Sequence, residues 1–328
     1  MGNVLVNGDF RYAQRSMVQP GTQVMFDGPG GFTFDRWWVN QNSDQVDVKQ
    51  IPGFMGFPHA CRLHRKPGSV YEGDCCIMQT IPSDVSMRLA GGQITVPIAA
   101  RKSTGWTDGD GLMSVSVFYG TGFDEGSQAF GNGSWAGQAL AGRARYPLTA
   151  AGAQYFPTFD IPSNATEMAV VIDGHFAGTA GPEDWFDVTG IRAIPGIADY
   201  APILNARADL QDCLSYYQRL NRFGNATVIP GALVCADATN AFGVIRLKSP
   251  LRTNIGYDVH FSAMDTFHFN HPNALVPSSL SFFGHEDFDK FYLWAMFPDT
   301  FDLKSGFAMY LTCNAWPAKA YIDVDADL

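Results

Sequence analysis

The sequence predicts a mainly β protein: an N-terminal antiparallel jelly-roll β-sandwich, one linking helix and a C-terminal β domain that oligomerises. Three observations predict it. Charged residues make up only 16% of the chain, too few for the solvated faces of a helical bundle. Glycine and proline number 34 and 19, and 25 Phe, 12 Tyr and 7 Trp supply the rings that pleated strands favour. Short apolar runs recur between turn residues without the strand–helix alternation of a parallel sheet.

Three segments follow in order: a sandwich over 1–200, a linking helix within 201–224 and a β domain over 225–328. Gln93–Ile98 alternates polar and apolar residues, as a strand with one buried face does. Leu112–Tyr119 and Met168–Asp173 are β-branched or aromatic runs bounded by Gly, Asp or Asn. Between strands, Gly28–Gly31, Gly120–Gly137 and Gly178–Glu183 read as loops; the long Gly120–Gly137 stretch is expected to be mobile or ordered by a neighbouring chain. The helix is expected over 205–222, with Leu210, Cys213, Leu214, Tyr217 and Leu220 on one stripe. Asn205 is placed to cap its start and Gly224 to stop it. Strand signals return at Ala241–Leu247, Gly256–Ala263, Phe291–Phe297 and Gly306–Cys313.

Charge bears on partners. The chain carries 22 basic and 32 acidic residues, a formal net charge of −10. Both parts are acidic, with 13 basic against 19 acidic residues over 1–200 and 9 against 13 over 201–328. A phosphate backbone would be repelled by either, so nucleic acid is excluded as an expected partner. No apolar run reaches the length of a spanning helix, so no membrane insertion is expected. Met1–Asp9 has no basic or extended hydrophobic leader and reads as a strand that starts at once. Six cysteines, at 61, 75, 76, 213, 235 and 313, show no CxxC pair and read as reduced, buried thiols.

Motifs for catalysis are missing, and the expectation is a non-enzymatic protein with no catalytic residues and no cofactor. There is no GxSxG, and Gly131–Gly137 fails the spacing of a phosphate-binding loop. Glu183, Asp184 and Asp187 lack a second, opposed carboxylate for glycoside hydrolysis and read as a solvated acidic loop. His268 and His271 have HxxH spacing, which on a strand sends the rings to opposite faces and so makes no metal site. Asp108–Gly111 reads as a tight turn. Trp37 and Trp38, being adjacent, point to opposite faces, and both are expected in the core with Trp185. Trp106 and Trp135, in glycine-rich loops, are the candidates for an exposed glycan-binding or subunit surface.

Several stretches, in order, resemble one family. Val4–Arg11 (VLVNGDFR), then Gln14-Arg15 and Phe34–Trp37 (FDRW), are similar to the opening strands of many bacteriophage virion proteins. Gln79–Ile81 and Leu89–Val96 (LAGGQITV) resemble the next stretch of jelly rolls of the carbohydrate-binding-module type, and Trp185–Arg192 (WFDVTGIR) their closing strand. Leu210–Gln218 (LQDCLSYYQ), Leu247–Arg252 (LKSPLR) and Tyr321–Leu328 (YIDVDADL) complete the likeness, with Ser215 where the family carries arginine. The resemblance implies a structural protein on the surface of a phage particle, a head fibre or decoration protein or a tail fibre component. It would be assembled in the host cytoplasm, usually as a homotrimer contacting other virion proteins. The alternative it implies is a receptor-binding protein that recognises host surface glycan. The matched motifs include no sugar-contact residues. In related jelly rolls a structural calcium ties the first strand to the last, which implies Asp9, or Asn7, with Asp187 as candidate ligands.

Overall fold

The computed structural model describes residues 3–13, 23–24, 30–41, 46–107, 111–199, 206–220, 228–235, 240–247, 258–261, 267–269, 279–283, 290–296, 308–313 and 322–325. Gln14-Arg15, Asp108–Asp110, Asn205, Gly224, Pro250-Leu251-Arg252 and His271 lie outside the described residues. The chain is mainly β with antiparallel sheets, and it divides into two compact units at Leu210/Gln211.

The first unit contains β1 (Gln23–Val24), β2 (Gly30–Phe34), β3 (Trp37–Gln41), β4 (Val46–Pro52), β5 (His59–Arg65), β6 (Gly73–Ile81), α1 (Ser83–Leu89), β7 (Gln93–Thr95) and β8 (Ile98–Lys102). It continues with β9 (Leu112–Gly120), α2 (Gly126–Gly131), β10 (Ala139–Pro147), β11 (Ala153–Tyr155), β12 (Thr158–Asp160), β13 (Glu167–Phe176), β14 (Trp185–Thr189) and β15 (Ile194–Pro195). One six-stranded sheet runs β1-β4-β5-β14-β8-β11 and the other β10-β9-β13-β6-β3-β2, with a small β12-β7-β15 sheet beside them. The chain passes back and forth between the two large sheets, with β2–β3, β4–β5 and β9–β10 pairing within one sheet as hairpins, as a β-sandwich requires. Their facing sides make one core, in which Phe176 of β13 meets Phe186 of β14 at 6.0 Å. Gly174 gives that ring its space, since a methyl there would press on Phe186.

The N-terminal segment departs from the expected strand. Asn7 and Phe10 take φ of 56° and 55°, which breaks an extended run. Beside isolated backbone bonds to Ile191, Ala193 and Asp35, side chains hold the segment: Gln79 bonds both the N–H and the C=O of Val6, Gln50 Nε2 donates to the Phe10 carbonyl, and Trp37 Nε1 donates to the Asn7 carbonyl. Trp37 is fully buried against Phe10, whereas Trp38 is half-buried on the outer side of the same sheet. Adjacent strand residues did face opposite ways, so only one of that pair reached the core. Cys61, Cys75, Cys76 and Cys213 are unbridged, and burial pushes the Cys61 and Cys75 thiols well up.

The second unit holds a six-stranded sheet and a smaller one. The larger runs β20 (Phe267–Phe269), β23 (Ala308–Cys313), β17 (Val228–Cys235), β18 (Asn240–Arg246), β22 (Lys290–Met296) and β21 (Ser279–Phe283). The smaller runs β16 (Tyr217–Leu220), β24 (Ile322–Asp325) and β19 (Asp258–Phe261). The helix α3 (Ala206–Tyr216) is shorter than the expected 205–222, because Tyr217–Leu220 pair with Ile322–Asp325 and become strand. Ladder bonds to a distant segment override the local 3.6 period there. Leu210 is exposed and Cys213 buried, so the expected stripe is only partly a packing face. The division between units falls inside α3, at neither end of the linking segment expected over 201–224.

Candidate functional site

The outer face of the β10-β9-β13-β6-β3-β2 sheet is ordered in cross-strand rows set by the register. The first row carries Leu140, Phe118, Ala169 and Thr80. The second carries Arg143, Ser116, Val171, Met78, Trp38 and Phe32. The third carries Arg145, Ser114, Asp173 and Cys76, and the fourth sets His175 opposite Asp74, beside Leu112. The face thus changes from apolar to charged along the strands.

The chain itself covers the apolar end. Between β9 and β10 it leaves the sheet at Gly120 and folds α2 back over it. Phe130 and Trp135 then pack on Met78, Ala169 and Val171, with Phe118 at 5.3 Å from Phe130. The expected mobile loop is therefore an ordered excursion, held by its own sheet. Coverage on both sides also explains why Met168–Ile172 reads as a continuous apolar run.

The charged end is open. Asp74, Leu112, Ser114, Arg143, Arg145, Asp173 and His175 line a cleft of about 420 Å³. A bulge between Leu140 and Gly142 resets the alternation of β10. Arg143 and Arg145 therefore stand outside while Ala144 and Tyr146 pack inward. Arg143 Nε donates to Ser116 Oγ at 2.9 Å, which aims the rest of its guanidinium over the cleft. His175 Nδ1 lies 2.9 Å from Asp74 Oδ1. Burial raises the Asp173 carboxyl, and Asp74 adds to this, against the Ser114 hydrogen bond and the Arg143 and Arg145 charges that favour the ionised form. Donors and acceptors on adjacent rigid strands can engage a polyol from several sides at once.

None of these residues was singled out by sequence reasoning. The available signal was alternation, Arg-x-Arg in 143–145 and Asp-x-His in 173–175, which places each pair on one strand face. That the two pairs share a cleft is a matter of register.

The residues that were singled out sit elsewhere. Trp106 is only 6% exposed and lies in the core between Phe176, at 6.4 Å, and Phe186, at 5.4 Å. Trp135 is 4% exposed, packed on Phe130 at 4.9 Å with its Nε1 donating to the Gly126 carbonyl. Both correct the expectation of an exposed glycan or subunit surface: a glycine-rich loop bends freely enough to seat a large ring on the sheet. Trp185 is half-exposed on the outer face of the other sheet, under the Arg62 guanidinium at 3.5 Å, and so is no core residue.

The calcium ligands implied by the resemblance do not fit. Asp187 is fully buried, and its Oδ1 and Oδ2 accept from Arg62 Nε at 2.7 Å and Nη2 at 3.0 Å, with Arg101 Nε on Oδ2 at 2.9 Å. Two guanidiniums supply the positive charge that the carboxylate needs. Asp9 Oδ2 accepts from Arg11, and the Asn7 side chain is engaged with Tyr12 and the Asp35 carbonyl. Among the described residues, no three His, Cys, Asp or Glu side chains converge as metal ligands. The acidic loop is likewise not solvated as expected, since Asp184 is buried on Arg65. No helix among the described residues is long and apolar enough to cross a membrane.

No protein-family model matches the chain, and no curated protein matches it in sequence. Among solved structures it is similar to a CBM4 structure, at 16% identity, 58% of this chain and 97% of that one, with a TM-score of 0.34. It is also similar to the C-terminal family 22 carbohydrate binding module of Clostridium thermocellum Xyn10B, at 12% identity, 51% of this chain and 89% of that one, TM-score 0.29. A third likeness is to the enzymatically active domain of bacteriophage CBA120 tailspike protein 4, at 14% identity, 60% of this chain and 21% of that one, TM-score 0.35. Solved structures resembling this chain thus include carbohydrate-binding modules and a phage tailspike domain.

Proposed function

We propose that this chain is a non-enzymatic, saccharide-binding component of the surface of a bacteriophage particle, and that the cleft on its N-terminal unit holds the sugar. The observation that carries the binding role is the cleft lined by Asp74, Ser114, Arg143, Arg145, Asp173 and His175. Carboxylates accept from vicinal hydroxyls and guanidiniums donate to them, and each sugar hydroxyl needs both. The ordered motif resemblance supports the place on the particle, as a head fibre, decoration or tail fibre component. In a glycan array with the purified chain, a saturable ligand is expected. Asp173→Ala and Arg143→Ala should each weaken it by at least about tenfold, the value of a hydrogen bond to a charged group. Absence of saturable binding to any glycan would leave the structural role alone.

The same reading includes a homotrimer held through the second unit. On β22, Leu293 and Ala295 are buried while Trp294 and Met296 remain 39% and 48% exposed, an apolar pair on the outer side of the strand. Closed cyclic symmetry would cover such a face in every copy. Light scattering at micromolar concentration should return three times the 35.8 kDa chain mass; a monomer would contradict it.

A further inference from the structure

The excursion that covers the apolar end of the cleft face is seated by Phe130 and Trp135, bonded through Asp124 to Ser83, Ser127 to Thr80 and the Gly122 carbonyl to Thr166, and fastened at its neck by carboxyl groups. Its neck is closed by Thr121 N–H donating to the Ala136 carbonyl at 2.7 Å. Below the neck lies Glu167, the first residue of β13, only 2% exposed. Glu167 Oε1 accepts from the Glu125 N–H at 2.5 Å, while Oε2 is buried without a hydrogen-bond partner. Glu125 Oε2 in turn accepts from the Ala136 N–H at 2.7 Å, which ties the outgoing and returning arms together. The charged groups acting on Glu167 are Glu125 and Asp124, both acidic.

We propose that the 121–137 excursion is a pH-gated lid, whose closed position over the apolar rows buries the Glu167 carboxyl against the acidic residues Asp124 and Glu125. The regulation of the cleft rests on the saccharide reading above; the pH gate does not. With the lid raised, the cleft would extend past Arg143 and Ser116 over Val171, Met78 and Phe118, a longer groove with an apolar half.

Burial first, then the Glu125 and Asp124 carboxyls, outweigh the Glu125 amide and push Glu167 up to about 7. Raised lid and solvated side chain return it to the ordinary value, 4.5. The proton is therefore held more tightly in the closed form. Closure is fully favoured below about 4.5, and the advantage is lost as pH rises through about 7. The whole span corresponds to a factor on the order of 10² in the closing equilibrium.

The test is hydrogen exchange on the full chain at pH 5.5 and 8.5, corrected for intrinsic rates and read by mass spectrometry on peptides covering 121–137. Protection there should fall by roughly 30-fold between the two pH values, while peptides from β6 and β13 beyond Ala169 stay constant. In Glu167→Gln, whose amide is neutral at both pH values, the fall should vanish. Should that protein not fold, Glu125→Gln serves, because removing the repelling charge should shrink the fall. Equal protection of 121–137 at both pH values in the wild type overturns the gate, as does an undiminished fall in the variants. Exchange is measured without sugar, so a failed gate and a failed saccharide site are told apart.

Discussion

Arg65→Met is expected to destabilise the N-terminal unit by about 3–5 kcal/mol, the range for removing one partner of a buried ion pair. Arg65 and Asp184 are both fully inaccessible to solvent. Nε donates to Asp184 Oδ2 at 2.7 Å, Nη1 to the Tyr71 and Gly178 carbonyls, and Nη2 to Thr107 Oγ1 and the Ala177 carbonyl. All five N–H donors are used, and they join the end of β5, the loops before β6 and β9, and the end of β13 to the loop before β14. Thr107 closes the circuit, its N–H and Oγ1 donating to Asp184. Methionine fills the volume but leaves the buried Asp184 charge without its arginine, held by Thr107 alone, and removes the donor from the Tyr71, Ala177 and Gly178 carbonyls. Thermal unfolding of the first unit should drop by on the order of 10 °C. The double change Arg65→Met with Asp184→Leu should cost less than the single one, because no orphan charge remains. A single-variant loss below about 1 kcal/mol would show that the network is not holding these loops.

Gly8→Ala should be of similar size, about 3 kcal/mol or more, above the usual range for an added methyl because the obstacle is backbone. A Cβ on Gly8 would run into the Ile191 carbonyl and approach Arg192 Nη1 at 2.8 Å. The limit is space, set by the Ile191 N–H donating to the Gly8 carbonyl at 3.0 Å. Any side chain there must push the opening segment off the closing one, and with it the Val6, Asn7 and Phe10 contacts to Gln79, Trp37 and Gln50. Denaturant unfolding measures this directly; a midpoint within error of the wild type would mean that the two segments separate without loss.

Much of this was legible from residue order. The runs at 112–119, 241–247 and 291–297 are strands within a residue or two of their expected bounds, because alternation and turn residues act over a few neighbours. The Asn7-Gly8-Asp9 signature was visible as a motif, though its reason, a glycine squeezed against Ile191, was not. Charged and aromatic residues misled in both directions. Asp184 and Asp187 looked solvated and are buried under arginines; Trp106 and Trp135 looked exposed and are core. Composition cannot distinguish these cases, since burial of a charge depends on whether a partner arrives from a distant strand.

By itself the sequence determined the class, mainly β with antiparallel pairing, since period-2 burial and turn chemistry are local properties. Only the tertiary structure decided which residues act together. Asp74, Ser114, Arg143 and Asp173 come from four strands, and the register of β10, β9, β13 and β6 sets them side by side. A one-residue slip in any of those ladders would send that strand's groups to the opposite face. The cleft and the lid beside it are thus properties of cross-strand pairing, which closes only when the whole sandwich does.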